Sequence, residues 1–231
     1  MNIALIVAGG YGLRMKKSQP KQYLNLADKP IIAHTLLAFE GCRHINGIIL
    51  VLPLQDINMV TQNILPLIKL TKPIRLVPGG EQRQDSVFNG LQHIDPQCQI
   101  VVIHDGVRPF VSPTQISDCI LMAKENDACI LGIPAYDTLK RVTRNGKIEV
   151  TLDRKPIWLA QTPQAFKIDL IKKAHLDARK DNILETDDAA LVERLGIPVK
   201  IIAGSRKNIK ITTFEDLELC ETLISSQRDG Y

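Results

Sequence analysis

Near its start the chain reads Ala8-Gly9-Gly10-Tyr11-Gly12-Leu13-Arg14-Met15, and Pro20-Lys21-Gln22-Tyr23-Leu24 follows closely. Clustered glycines let a backbone turn sharply and bring its N–H groups against phosphate oxygens, where a Cβ would collide or force a disfavoured φ. Arg14 and Lys21 add mobile positive charge. Such a loop suits reaction at an α-phosphorus, because fixed cations favour the charge that grows on non-bridging oxygens and departing pyrophosphate. A tight strand-to-loop turn explains the glycines equally well. Two commoner phosphate loops do not fit: no Gly-Lys-Ser/Thr follows, and Met15 stands where a dinucleotide fingerprint needs its third glycine.

Further along, His104-Asp105-Gly106-Val107-Arg108-Pro109-Phe110 follows a strongly apolar run. Asp105 is placed to hold a magnesium ion, directly or through water, since Mg²⁺ takes one or two carboxylates and completes its shell with substrate phosphates. A solvent-exposed ion pair with Arg108 is the plainer alternative. His104, ending a buried strand, is expected to be a hydrogen-bonded structural residue. Gly79-Gly80-Glu81-Gln82-Arg83-Gln84-Asp85-Ser86 forms a second glycine turn that opens a helix. Its glycines and Ser86 suit a base and ribose, and Asp85 or Ser86 suits a helix cap. Thr186-Asp187-Asp188 caps another helix. Lys210 alternates with Ile209 and Ile211, so on a short strand it points away from the core, as a site cation or a surface lysine.

These segments need a scaffold, and the chain supplies one in alternating short β-branched runs and helical patterns. Strands are expected at Ile3 to Val7, Ile48 to Leu52, Ile74 to Val77, Ile100 to Ile103, Ala128 to Ile133 and Val199 to Ala203. Helices are expected near Ile31 to Phe39, before Pro66, at Ser86 to Ile94, from Pro113 to Glu125, and at Ile168 to Ala178, Asp187 to Leu195 and Phe214 to Ile224. The rhythm predicts an open, doubly wound α/β sheet with helices on both faces, whose ligand crevice lies at the carboxyl ends of the strands. Between about Ala135 and Ala160 it breaks, with Asn145-Gly146 signalling a two-residue hairpin in an excursion from the sheet.

At 231 residues the chain suits a single domain, 1–231. A hydrophobic fraction of 45% excludes global disorder, and a net charge of +4 without like-charge blocks points away from nucleic acid and membrane surfaces. No apolar run approaches a membrane span, and the start reads as a strand, not a signal peptide. The five cysteines are scattered without a C-x-x-C pair, which suits small buried residues in a reducing cytoplasm.

Taken in order, A-G-G-x-G-x-R-M, P-K-Q-Y, G-G-x-x-R-x-x-S-V, H-D-x-x-R-P-F, Q-T-P-Q-x-F, T-D-D and N-I-K-I-T span about Asn2 to Leu223. The set resembles the 2-C-methyl-D-erythritol 4-phosphate cytidylyltransferases of the non-mevalonate isoprenoid pathway. That resemblance implies a Rossmann-like, mostly parallel sheet, CTP and Mg²⁺ as co-substrate and cofactor, and a homodimer whose β-arm, about 136–160, crosses to the partner. It places Arg14 and Lys21 on the triphosphate; Ala8, Gly9, Gly80, Glu81 and Ser86 around cytosine and ribose; and Gly10, Gly12 and Gly106 with the nucleotide. Asp105, Arg108, Thr138 and Lys210 would line the methylerythritol phosphate side, with Arg154 and Thr162 reaching it from the other subunit. The A-G-G form also resembles ribitol 5-phosphate cytidylyltransferases and wider sugar-nucleotide enzymes, and a nucleotide-sensing module is the non-catalytic alternative.

Overall fold

The computed structural model describes residues 1–9 and 20–228. Gly10, Gly12 and Arg14 lie outside the described residues. The logic of the fold is plain in β1 (Asn2–Val7), all six residues of which are buried. Ala4 and Ile6 join one core cluster, whereas Ile3, Leu5 and Val7 join a second. Alternate side chains of a strand point to opposite faces, so a continuous apolar run demands cover on both.

The chain continues through β2 (Asn25–Leu26), β3 (Lys29–Pro30), α1 (Ile31–Glu40), β4 (Gly47–Leu52), the short α2 (Ile57–Met59), β5 (Ile74–Pro78) and α3 (Arg83–Leu91). Next come β6 (Ile100–Asp105), α4 (Pro113–Asn126), β7 (Ala128–Pro134), β8 (Leu139–Val142), β9 (Ile148–Leu152) and β10 (Trp158–Lys167). The last elements are α5 (Ile168–Lys180), α6 (Asp188–Arg194), β11 (Lys200–Ala203) and α7 (Phe214–Arg228). Side chains of α1 and α4 fill the core on one face of the sheet, and those of α3, α5 and α6 fill it on the other. A third cluster joins α7 to Leu24, Leu26, Ile31, Val107 and Ile211.

Seven strands form the main sheet in the order β11-β7-β10-β6-β1-β4-β5. All neighbours are parallel except β10, which runs antiparallel to both β6 and β7. The expected mostly parallel, doubly wound sheet is present, with β10 as the strand its sequence pattern does not announce. From β1 the chain builds outward to β4 and β5, then returns to place β6 on the other side of β1. The crevice at such a reversal is where open α/β sheets bind ligands.

Local expectations are corrected in three places. The segment before Pro66 is not one α-helix: 3-10 turns at Leu54–Asp56 and Leu65–Leu67 flank α2 and a π turn. Helix α3 starts at Arg83 with Gln82 as its N-cap, and Asp85 shares in the capping box by accepting from the Gln82 N–H at 3.2 Å, whereas Ser86 takes no part in that box. The β8–β9 hairpin closes with the Thr143 N–H donating to Lys147 O at 2.8 Å and the Gly146 N–H to Thr143 O at 3.0 Å. A two-residue type I′ turn needs positive φ at both central residues. Here Gly146 has φ +80° and Asn145 does not, and a three-residue loop results. All five cysteines are buried and free, and among the described residues no helix is long and apolar enough to cross a membrane.

Candidate active site

Val7 and Asp105, the last residues of β1 and β6, are paired in register, so both following loops open at the same carboxyl edge. Asp105 is the centre of the site. Its Oδ1 lies 3.0 Å from Arg83 Nε, and its Oδ2 lies 2.8 Å from Lys210 Nζ and 3.6 Å from Arg108 Nε. Only 9% of the Asp105 side chain is exposed. Burial alone would raise its pKa, but Arg83, Lys210 and Arg108 outweigh it and hold the carboxyl well below the usual carboxylate range. This is a partly buried network, not a solvent-exposed ion pair: Arg83 also pairs with Asp188 at 2.8 Å, so three cations face two carboxylates, and the one surplus positive charge suits anionic ligands.

Each cation arrives by a different route. Arg83 opens α3, whose preceding loop is fixed by Ser86: its hydroxyl accepts from the Gly80 N–H and donates to Gln82 O, both at 3.1 Å. Lys210 sits on no strand. The Ile211 N–H donates to Val107 O at 2.9 Å, and buried Ile211 turns inward. Asn208 anchors the same loop by donating to Thr162 O at 2.8 Å, while Gln161 donates to Ser205 O at 2.8 Å. Lys210 therefore points to Asp105, where a strand-borne surface lysine was one expectation. Arg108 is held by donating to Asn208 O at 2.8 Å.

Thr162 and His104 complete the floor. The register of β10 shifts between Gln161 and Gln164, a bulge of the kind that re-aims side chains. Thr162 Oγ1 accepts from the Asp105 N–H at 3.1 Å and lies 3.0 Å from His104 Nδ1. His104 Nε2 lies 3.1 Å from Arg108 O, which can only accept, so Nε2 carries the hydrogen and Thr162 donates to Nδ1. Burial pushes the imidazole down to about 3. His104 is thus neutral and fully engaged, the structural residue expected. Thr162 belongs to its own chain's site, contrary to the expectation that it reaches across from a partner.

Two cavities meet at this cluster. One, of about 240 Å³, is lined by Ala8, Gly9, Lys21, Gly80, Glu81 and Ser86 among others; the second, of about 230 Å³, by Arg108, Thr162 and Asp187 among others. Arg83, Asp105 and Lys210 line both. Two glycines of the first are closely packed: a Cβ on Gly80 would stand 2.4 Å from Asp85 Cβ and one on Gly9 3.1 Å from Ser86 Oγ. Lys21 is placed there by its neighbour Gln22, which is buried and donates to Ala8 O at 2.9 Å.

The family model described as IspD: 2-C-methyl-D-erythritol 4-phosphate cytidylyltransferase matches residues 2–226. The chain belongs to the IspD family. A relative from Syntrophus aciditrophicus, named 2-C-methyl-D-erythritol 4-phosphate cytidylyltransferase, is 49% identical over 225 residues, covering 97% of this chain and 96% of the relative. The crystal structure of 4-diphosphocytidyl-2C-methyl-D-erythritol synthase from Anaerococcus prevotii is similar with a TM-score of 0.86 at 32% identity, covering 97% of this chain and 96% of that one. The Francisella tularensis 2-C-methyl-D-erythritol 4-phosphate cytidylyltransferase structure gives a TM-score of 0.81 at 34% identity, covering 96% and 98%.

Within this IspD chain, the described residues expected in the site do not all converge. Ala8, Gly9, Lys21, Gly80, Glu81, Ser86, Asp105, Arg108, Thr162 and Lys210 line one or both cavities. Thr138 and Arg154 line neither; both are exposed on the arm, where Arg154 donates to Tyr136 O. Gly106 also lines neither cavity. Its N–H donates to Val7 O at 2.8 Å, and an added Cβ would meet Ile32 at 2.8 Å, so packing accounts for the glycine. Sequence reasoning assigned no site role to Arg83 or Asp188, which lie 2.8 Å apart. The R-x-x-S-V and T-D-D motifs contained both, but nothing in their spacing says that they meet.

Proposed function

We propose that the protein transfers the cytidylyl group of CTP to 2-C-methyl-D-erythritol 4-phosphate, giving 4-diphosphocytidyl-2-C-methyl-D-erythritol and pyrophosphate. The observation that carries this reading is that two adjoining cavities share Arg83, Asp105 and Lys210. Two polyanions need a common cationic boundary if one is to attack the other.

CTP takes the cavity of Ala8, Gly9, Gly80, Glu81 and Ser86 with its base and ribose, and Lys21 and Arg14 grip the triphosphate. The acceptor phosphate takes the cavity of Arg108 and Thr162, beside Lys210. An oxygen of that phosphate attacks the α-phosphorus; the new P–O bond forms as the bond to the bridging oxygen breaks, and pyrophosphate leaves with the electron pair. A phosphate monoester has a second pKa near ~6, so at neutral pH the nucleophile is already mostly the dianion and no general base is required. Asp105 is the carboxylate that lines both cavities, and it would hold a magnesium ion by exchanging Arg83 or Lys210, with which its oxygens now pair, for the ion. The ion would neutralise charge at the phosphates. Lys21, Lys210 and Arg108 orient the two phosphates and stabilise charge in the transition state.

The arm supports a homodimer. Val142, Ile148, Val150 and Leu152 are exposed on the β8–β9 hairpin, and an isolated two-stranded hairpin is marginal in water. A second copy covering this surface would let Thr138 and Arg154 serve the partner's acceptor cavity.

The test is pyrophosphate release from CTP and Mg²⁺ with 2-C-methyl-D-erythritol 4-phosphate, beside ribitol 5-phosphate and a sugar 1-phosphate. Turnover confined to the first acceptor is expected. Turnover only with another acceptor would move the activity to a sister enzyme, and CTP binding without turnover would indicate a sensing module.

A further inference from the structure

Behind the site a line of side chains runs from the sheet edge into the core on the α5 face. His175, on α5 and fully buried, lies with Nε2 3.0 Å from Asp188 Oδ1. Asp188 opens α6, and its Oδ2 accepts from Arg83 Nη1 at 2.8 Å. Arg83 Nε in turn donates to Asp105 Oδ1 at 3.0 Å. The Asp188 side chain is 1% exposed, so substrate in either cavity meets Arg83 and not Asp188. Two of the three guanidinium nitrogens of Arg83 are thereby committed. The third, Nη2, is buried without a hydrogen-bond partner among the described residues, so it is other atoms of Arg83 that border the cavities.

We infer that Asp188, itself seated by His175, is a positioning residue that fixes Arg83 so that its Nε holds Asp105 at the boundary the two cavities share. Planar guanidinium geometry makes the device work: in a rigid fork, fixing Nη1 on Asp188 fixes the direction of Nε toward Asp105. A buried carboxylate is also costly unless paired, so Asp188 has no alternative partner of equal value and holds Arg83 tightly. The second ring nitrogen of His175, Nδ1, is buried without a hydrogen-bond partner among the described residues, while Ile171, Ala174 and Ala178 of α5 pack in the apolar core. This inference rests on the reading of the two cavities as donor and acceptor sites.

The experiment measures kcat and KM for CTP and for the acceptor in Asp188→Asn, in Arg83→Gln, in their double variant, and in the pair His175→Gln and His175→Leu. Asp188→Asn keeps the volume and removes the charge, and it should lower kcat by roughly thirtyfold, with less than about threefold further loss when added to Arg83→Gln, as residues acting as one unit are non-additive. Independent losses that multiply in the double variant would overturn the inference, as would Asp188→Asn with normal kcat. Should Asp188→Asn fail to fold, the histidine pair decides. Glutamine retains a donor near the position of Nε2 and should keep kcat within about threefold, whereas leucine should lose about tenfold. Equal kcat in the two would reject the positioning role. Wild-type protein without cytidylyl transfer would instead reject the functional reading, which separates the two failures.

Discussion

Lys210 Nζ lies 2.8 Å from Asp105 Oδ2, and that carboxylate is also approached by Arg83 and Arg108. Removing Lys210 leaves Asp105 paired while thinning the positive charge shared by the two cavities. Lys210→Ala is therefore expected to reduce kcat by about 10²-fold or more, the range for losing one preorganised charge-stabilising group, with little change in thermal stability. Steady-state pyrophosphate release together with a thermal melt checks this. Turnover within a few-fold of wild type would reduce Lys210 to a screening partner of Asp105.

The glycine turn before α3 offers a test at the nucleotide end. A Cβ on Gly80 would stand 2.4 Å from Asp85 Cβ, and the adjacent backbone cannot yield without disturbing the Gly80 N–H bond to Ser86. Gly80→Ala should cost about 1–3 kcal/mol of stability, as overpacking does. It should also raise the KM for CTP more than the KM for the acceptor, because Gly80 lines only the first of the two cavities. Equal effects on both would mean that the turn acts through the shared cluster.

Much of this was legible in the sequence, for identifiable reasons. Strands such as β1, β4 and β6 are buried on both faces and so appear as uninterrupted apolar runs. The glycine turn of Gly80 was legible because a side chain cannot fit there. β10 was hidden because it carries its polar residues inward: Gln161, Thr162 and Gln164 are buried and satisfied by hydrogen bonds, a pattern that mimics a loop. Lys210 was read on a short strand, whereas its segment is a loop shaped by Val107, Thr162 and Gln161, all distant in sequence. Arg83 and Asp188 were equally out of reach, since their pairing exists only once α3 and α6 pack on the same face.

His104 carries a prediction about acid stability. Its pKa falls from the ordinary histidine value of 6.5 to about 3 in the fold because burial disfavours the charged ring. Between those values the unfolded chain binds a proton that the folded chain does not, so stability rises with pH across that window and falls as pH is lowered. The contributions of Asp105 and Asp188, both held below the ordinary range, remain complete above the unfolded carboxylate pKa of about 4 and drain below it. From pH 6.5 down to about 4 the His104 effect is thus separable from theirs. Urea midpoints of His104→Gln should be lower than wild type at about pH 7 but should fall less steeply over this interval. Parallel slopes would mean that His104 becomes charged within the folded protein.

The arm can be tested by mixing subunits. Val150 pairs with Arg141 and Leu152 with Leu139 across the hairpin, so their side chains share one face, and a register shift between Arg141 and Val142 ends that face before Val142 and Ile148. If a second copy covers this face, Arg154 of one subunit serves the acceptor cavity of the other, while Lys21 serves its own nucleotide cavity. Arg154→Ala and Lys21→Ala homodimers should each lose activity by at least about tenfold. Exchanged heterodimers should then regain turnover, because one of their two composite sites contains both intact residues. Val150→Asp should shift the protein toward monomer in sedimentation velocity and remove the regain. Silence in the mixture, despite exchange shown by differently tagged subunits, would mean that Arg154 and Lys21 of one subunit serve the same site, or would remove Arg154 from the reaction.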